Sequence, residues 1–134
     1  MNTPSSTPIP RPTILLVDDM DATRITMKWF LNNFDYPVVT ARSAEEAVSL
    51  FDPKIHSLVL TDNSMPGMTG AELAQFVKER SPSTLVLMYT GKPPINRAYL
   101  DFLIQKPAHL LVIKEALDKL LPQGINSIQP PPPS

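Results

Sequence analysis

The chain has 134 residues, a net charge of −1 and no cysteine. This length suits one ordinary domain, and a hydrophobic content of 43% is compatible with a packed core. The small net charge argues against nucleic-acid or anionic-membrane binding. The lack of cysteine excludes disulfides, thiolate metal sites and cysteine nucleophiles, and no apolar run approaches the roughly 20 residues of a membrane span. We therefore expect a cytoplasmic protein that binds neither nucleic acid nor membrane through this chain.

Prolines mark the predicted limits of the folded domain. Of 16 prolines, four lie in residues 1–12 and five in residues 122–134. Such segments cannot bury enough apolar surface to offset the entropy lost on ordering. The sequence therefore predicts disordered proline-rich tails over 1–12 and 122–134, on either side of a domain over 13–121.

Trimming the chain to residues 13–121 should leave its melting temperature within a few degrees of the full-length value, because the tails show no apolar periodicity that would pack on the domain. Differential scanning calorimetry of both chains checks this. A large drop would show that one tail packs against the domain.

Predicted strands and helices alternate along the domain. Helix-start signals stand at Ser43 and Thr69, each followed three residues later by glutamate, and Pro107 suits the entry to a last helix. This alternation indicates an α/β fold with a parallel sheet and right-handed crossovers. The predicted strands are 13–17, 38–40, 57–61, 84–89 and 102–105, and the first helix is 22–34.

Polar side chains follow four of these strands. In an open α/β sheet the binding crevice lies at the carboxyl ends of the strands, so these groups are expected to converge. The set comprises three carboxylates, one hydroxyl and one ammonium, which suit a hard divalent cation and a phosphoryl group. Its members are Asp18, Asp19, Asp62, Thr90 and Lys106.

Each of these residues also has a simpler interpretation. An Asp-Asp pair can lie in a solvated turn, a lone aspartate can cap a helix, threonine favours strands, and a lysine is usually a surface charge. However, adjacent carboxylates raise each other's proton affinity unless a cation lies between them, and Mg²⁺ takes oxygen ligands. The ammonium of Lys106 could neutralise a phosphoryl group, or pair with Asp62 when none is bound.

Four motifs in this order resemble the receiver domain of two-component response regulators. The resemblance covers about residues 14–121 and implies a flavodoxin-like, doubly wound, five-stranded parallel sheet of strand order 2-1-3-4-5. The motifs are Leu-Leu-Val-Asp-Asp at 15–19, Leu-Thr-Asp-Asn-Ser-Met-Pro-Gly-Met-Thr-Gly at 60–70, Met-Tyr-Thr-Gly at 88–91 and Gln-Lys-Pro at 105–107.

The resemblance also implies a role for each site residue. Asp62 would accept a phosphoryl group from a phosphohistidine on a sensor histidine kinase or phosphotransfer protein, and the change would be passed to an unknown downstream protein. Such a chain is a phosphoacceptor and not an enzyme with other substrates. Mg²⁺ would be held by Asp19, Asp62 and the backbone carbonyl of Ser64, with Asp18 acting through a water. Phosphoryl oxygens would be held by Thr90, Lys106 and the backbone amides of Asn63 and Gly91.

The sequence departs from the family pattern in the segment between strands four and five. Pro93-Pro94 stands where the fourth helix should start, so a shortened or irregular fourth helix, or a loop, is expected. Receivers usually carry an aromatic residue three positions before the lysine, where this chain has Leu103, with Phe102 one residue out of step. The short segment looks most like receivers attached to hybrid histidine kinases.

Two other functions compete with this interpretation. A haloacid-dehalogenase-type phosphatase also places aspartate, threonine and lysine at strand ends, but needs a second aspartate two residues after the nucleophile, where this chain has Ser64. A binding-only pseudo-receiver would keep the fold without accepting a phosphoryl group. A phosphorylation assay separates this last alternative.

Other residues that could suggest a ligand site are given structural interpretations. Trp29 is expected in the core or at its edge. His56 is expected in a loop, and His109 on an exposed part of the last helix. Met65 and Met68 are expected to pack within their loop instead of forming a partner groove.

Overall fold

The computed structural model describes residues 12–121, so the predicted tails lie outside the described residues apart from Pro12. Five parallel strands form one sheet of order β2-β1-β3-β4-β5, which confirms the predicted fold class. The strands are β1 (Thr13–Val17), β2 (Val38–Ala41), β3 (His56–Thr61), β4 (Leu85–Thr90) and β5 (Phe102–Gln105). The helices are α1 (Asp21–Asn33), α2 (Ala44–Leu50), α3 (Gly70–Arg80) and α4 (Leu110–Leu120).

The central strands are buried on both faces, as parallel strands with helices on either side must be. On one face Leu16 and Leu60 pack with Leu117 of α4. On the other face Val17 packs with Leu73 of α3. Because side chains alternate along each strand, consecutive residues belong to two separate cores. Both sets must therefore be apolar, and this is why continuous apolar runs in the sequence predicted the strands.

The predicted helix-start signals differ in how fully they form. Thr69 and Glu72 make a complete capping box, with Thr69 Oγ1 accepting from the Glu72 amide and the Glu72 carboxylate accepting from the Thr69 amide. Ser43 accepts from the Glu46 amide at 3.0 Å, but the Glu46 carboxylate accepts from the amide of Arg42 instead of Ser43. The capping box at Ser43 is therefore only half formed, although α2 begins where predicted.

The connection between β4 and β5 contains no helix within the described residues, as the double proline indicated. We call residues 91–101 the β4–β5 loop. Its far end is held by Asp101, whose carboxylate accepts from the Val86 amide at 2.8 Å and pairs with Lys78 of α3 at 2.6 Å. The near end, at Gly91 and Lys92, follows Thr90 directly and lies beside the predicted site.

Two side-chain predictions are wrong. Trp29 is 67% exposed, because α1 turns a different stripe, Arg24, Met27 and Leu31, towards the sheet. His56 is the buried first residue of β3, where its Nδ1 accepts from the Asp52 amide at 3.0 Å.

The remaining predictions on isolated side chains are confirmed in their essentials. Met65 is buried and Met68 packs partly buried beside it in one core. His109 is exposed at the N-cap of α4, and its Nδ1 accepts from the Leu111 amide. Within the described part of the chain, no helix is long and apolar enough to cross a membrane.

Candidate functional site

The turn after β1 presents two adjacent carboxylates. Asp18 is buried and Asp19 is exposed. The Oδ1 atom of Asp18 accepts from the Met20 amide at 2.9 Å. Arg24 is only 7% exposed. Its guanidinium donates to the Asp18 carbonyl at 2.9 Å and pairs with the carboxylate of Asp21. These bonds fix the turn after β1 and the direction of the Asp18 carboxylate.

Arg24 is a positioning residue that the sequence interpretation missed. Its signal was present, because Arg24, Met27 and Leu31 are spaced as one helical face. A basic residue within an apolar stripe must find acceptors when it is buried. Arg24 finds them at the end of β1, next to the acidic pair.

Asp62 follows β3 at the same edge of the sheet. Its amide donates to the Val17 carbonyl at 3.1 Å, which extends the pairing of β1 with β3. Its Oδ1 atom accepts from the Asn63 amide at 2.6 Å and lies 3.4 Å from the Ser64 amide. The carboxylate is therefore turned towards the crevice by the two peptides that follow it.

The three predicted carboxylates come together. One carboxylate oxygen from each of Asp18, Asp19 and Asp62 lies within 4.8 Å of the others. Burial raises the pKa of Asp18, and the negative charges of Asp62 and Asp19 raise it further, while the Met20 amide and Lys106 lower it. Ionising all three groups is thus costly unless further positive charge is supplied.

Lys106 follows β5 and reaches into this cluster, as its position after an apolar run predicted. Its Nζ atom lies 3.3 Å from Asp62 Oδ2 and 3.8 Å from Asp18 Oδ2. Beneath it, the ring of Tyr89 lies with its centroid 5.1 Å from Nζ, and the Tyr89 hydroxyl donates to the carbonyl of Ala108. Tyr89 was not singled out from sequence, although it lies one residue before the predicted threonine.

Thr90 and Gly91 complete the edge. Thr90 is fully buried at the end of β4 and pairs in the sheet with Gln105. Its carbonyl accepts from the Lys106 amide at 2.9 Å, and its Oγ1 accepts from the Lys92 amide at 3.1 Å. An Oγ1 atom that accepts one hydrogen bond still has its own proton to donate. Every predicted site residue thus lies at the same edge of the sheet.

Comparison with known proteins assigns the family. The family model of the response regulator receiver domain matches residues 14–124. This chain belongs to the response regulator receiver family. The motifs that predicted the family therefore identified it correctly, and the phosphoacceptor role in two-component signalling follows from the family.

Two curated relatives show how receivers of this kind occur in larger proteins. The receiver is 31% identical over 116 residues to the autoinducer 1 sensor kinase/phosphatase LuxN of Vibrio harveyi, and the match covers 82% of this chain and 14% of LuxN. It is 31% identical over 108 residues to a cyclic di-GMP phosphodiesterase of Thermotoga maritima, covering 76% of this chain and 29% of that protein. The chain therefore spans a small part of each relative. Because the relatives differ in kind, attachment to a hybrid kinase stays a prediction.

Solved structures share the receiver fold. The response regulator TrrA of Thermotoga maritima, in complex with Mg(2+)-BeF, superposes with a TM-score of 0.77 at 28% identity, covering 82% of this chain and 99% of TrrA. The chemotaxis protein CheY4 of Vibrio cholerae also gives 0.77, at 25% identity, covering 84% of this chain and 100% of CheY4.

Proposed function

We propose that this receiver accepts a phosphoryl group on Asp62 from the phosphohistidine of a sensor histidine kinase or phosphotransfer protein, and that the added charge alters its contact with a downstream protein. The observation that carries the proposal is the position of Lys106, whose ammonium lies 3.3 Å from Asp62 Oδ2 beside two further carboxylates. An acceptor carboxylate, a cation and an acidic cluster are the parts that phosphoryl transfer needs.

The acidic cluster fits Mg²⁺. Three carboxylate oxygens within 4.8 Å of one another form a hard oxygen donor set. Burial, and then the charges of Asp62 and Asp19, raise the pKa of Asp18, and a bound cation would offset this cost of ionisation. Asp19, Asp62 and the Ser64 carbonyl would hold the ion, with Asp18 acting through a water. When bound, Mg²⁺ would offset the negative charge that otherwise keeps a phosphoryl group away from three carboxylates.

The chain's own residues would position the reacting groups. An oxygen of the Asp62 carboxylate forms the new bond to phosphorus as the phosphorus–nitrogen bond to the donor histidine breaks and the imidazole leaves with its electron pair. The ammonium of Lys106 and the hydroxyl of Thr90 would hold phosphoryl oxygens, helped by the backbone amides of Asn63 and Gly91. Transfer of this kind depends mainly on positioning and charge neutralisation.

The same site argues against the two competing functions. Ser64 stands where a haloacid-dehalogenase phosphatase needs its second aspartate, so the site lacks that acid or base. We therefore propose that the chain promotes only its own phosphorylation and dephosphorylation. A binding-only pseudo-receiver would leave the close approach of Lys106 to Asp62 without a chemical use. Phosphodonors of the proposed class also favour a cytoplasmic location.

Incubation with acetyl phosphate and Mg²⁺, followed by intact mass measurement, tests the proposal. Wild-type protein should gain one phosphoryl mass, and Asp62→Ala should gain none. Asp52→Ala serves as a matched control, because Asp52 is an aspartate outside the cluster whose carboxylate accepts from the Lys54 amide, and it should label like wild type. Full labelling of Asp62→Ala would refute the assignment, and an unlabelled wild type would favour the pseudo-receiver.

A further inference from the structure

The side chain of Asn63 joins its own segment to two others, one eight and one 29 residues further along the chain. Its Nδ2 atom donates to the Lys92 carbonyl at 3.1 Å, and its Oδ1 atom accepts from the Ala71 amide at 3.0 Å. One partner can only accept and the other can only donate, so the orientation of the amide group is fixed by its neighbours. The side chain thus ties the segment after β3 to the β4–β5 loop and to the first turn of α3.

The backbone of Asn63 is equally constrained. Its amide donates to Asp62 Oδ1 at 2.6 Å, and its carbonyl accepts from the Gly70 amide at 3.0 Å. The residue that contacts the proposed acceptor carboxylate is therefore the same residue that holds the loop. A change at Asp62 reaches Asn63 through one hydrogen bond and the adjacent peptide bond.

Lys92 is hydrogen-bonded to two residues of the proposed phosphoryl-binding set, Asn63 and Thr90. Its carbonyl accepts from Asn63, while its amide donates to the Oγ1 of Thr90 at 3.1 Å. If the Thr90 hydroxyl moves towards a phosphoryl group on Asp62, it moves the acceptor of the Lys92 amide. Asn63 continues to hold the other end of the same residue. The start of the β4–β5 loop therefore responds to both sides of the site.

This connection matters because the chain lacks the aromatic residue that receivers usually carry three positions before the lysine. Leu103 stands at that position, and residues 91–101, all of which the structure describes, contain no helix. Residues 92–100 form turns, bends and irregular backbone, and Ile95 is fully exposed. Tyr99 and Leu100 pack the far part of the loop against the core. The near part therefore depends on attachments such as the one between Asn63 and Lys92 for its position.

We propose that the Asn63 side chain is the positioning group that couples the state of Asp62 to the β4–β5 loop. The proposal rests on the proposed phosphoacceptor function for its signal, although the attachment itself exists without phosphorylation. Phosphorylation would then mainly reorder the loop from Gly91 to Leu100, a local change in order of a kind known in switching proteins.

Amide hydrogen exchange with and without beryllium fluoride and Mg²⁺, the fluoride standing in for a phosphoryl group, tests this on the full chain. In wild type the largest change in protection should lie between Gly91 and Leu100. In Asn63→Ala that change should fall to less than about half, and the resting Ala71 amide should exchange several-fold faster, as expected when one hydrogen bond is lost. The matched control is Asn96→Ala, because Asn96 lies in the loop and accepts only from the nearby Ala98 amide. It should keep the wild-type change.

A second variant separates the two arms of the side chain. Asn63→Asp keeps an acceptor for the Ala71 amide but has no donor for the Lys92 carbonyl. The Ala71 amide should therefore stay protected while the loop response is lost, a split that general destabilisation would not give. An undiminished loop response in both variants would overturn the proposal.

Labelling of the same wild-type sample with acetyl phosphate keeps the two proposals apart. If wild type labels and the Asn63 variants respond like wild type, the coupling role fails alone. If wild type does not label, the phosphoacceptor function fails, and the resting exchange of the loop amides in the two variants still decides whether Asn63 positions the loop.

Discussion

Gly70→Ala should lower the free energy of unfolding by about 3 kcal/mol and strongly reduce labelling of Asp62 by acetyl phosphate. A Cβ atom at Gly70 would overlap the Asp62 carbonyl oxygen and lie 2.9 Å from the Asn63 Cα atom. Both obstacles are backbone, so they cannot rotate away as a flexible side chain would, and overpacking of a rigid site typically costs about 1–3 kcal/mol or more. The displacement would fall on the segment that aims the proposed acceptor.

Chemical denaturation and intact mass measurement check both parts of this prediction. Gly91→Ala is the matched stability control, because its Cβ atom would meet nothing closer than the Lys106 Cβ atom at 4.0 Å. Its stability should stay within about 0.5 kcal/mol of wild type, as for most substitutions that create no overlap. A Gly70→Ala protein as stable as Gly91→Ala would show that the α3 start is not packed against Asp62.

Asp19→Asn should weaken Mg²⁺ binding at least about ten-fold at neutral pH, since a carboxylate contributes charge to the ion that a neutral amide does not. Asp19 is the exposed member of the cluster, so the change removes charge without disturbing the core. Isothermal titration calorimetry of wild type and variant measures the loss. Asp35→Asn, an aspartate at the end of α1 and outside the cluster, serves as the control. Equal affinities in wild type and Asp19→Asn would remove Asp19 from the proposed ion site.

The pH dependence of this binding follows from Asp18. Its pKa in the folded protein is raised, chiefly by burial, so between the ordinary and the raised value the folded state binds more protons than the unfolded state. The Asp18 contribution to stability therefore rises as pH falls through that window when no ion is present. Mg²⁺ binding should change in the opposite direction, because the ion needs ionised oxygens. Thermal melts with and without Mg²⁺ should thus converge as the solution is acidified, and a constant difference would contradict the account.

Much of the fold was predictable because it rests on local patterns. Apolar runs such as Leu58 to Leu60 are buried on both faces, so they stand out against their polar flanks. The start of α3 is marked within four residues by the capping box of Thr69 and Glu72. Pro93 and Pro94 have no amide hydrogen to donate within a helix. They therefore predicted a shortened helix or a loop between β4 and β5, and the structure has a loop. The strand ends shifted by about one residue, which is the usual uncertainty of element boundaries.

The site was predictable where a residue ends a strand, and not where its function depends on tertiary contacts. Asp62 and Lys106 could be placed together because parallel strands bring their carboxyl ends to one edge. Arg24 was missed because an arginine is usually a surface charge, and its helical spacing with Met27 and Leu31 does not by itself reveal the acceptors that allow its burial. Trp29 was misplaced for the converse reason, since a large aromatic residue suggests a core position although burial depends on which stripe of α1 faces the sheet.

The hydrogen bond from the Asn63 side chain to the Lys92 carbonyl could not be predicted from sequence. Its acceptor on Lys92 is 29 residues away, and the contact is to a backbone carbonyl that any residue would supply. Nothing in the residue types of the two segments records such a bond. Only the position of the β4–β5 loop relative to the end of β3 reveals it.

The most direct test of the central claim is to locate the acyl phosphate. Phosphorylated wild-type protein is reduced with borohydride, which converts an aspartyl phosphate to homoserine, and the peptides are sequenced by mass spectrometry. We expect homoserine at position 62 alone, and none in protein that was not exposed to acetyl phosphate. Homoserine at Asp18, Asp19 or any other aspartate, with an unmodified Asp62, would contradict the assignment of Asp62 as the phosphoacceptor.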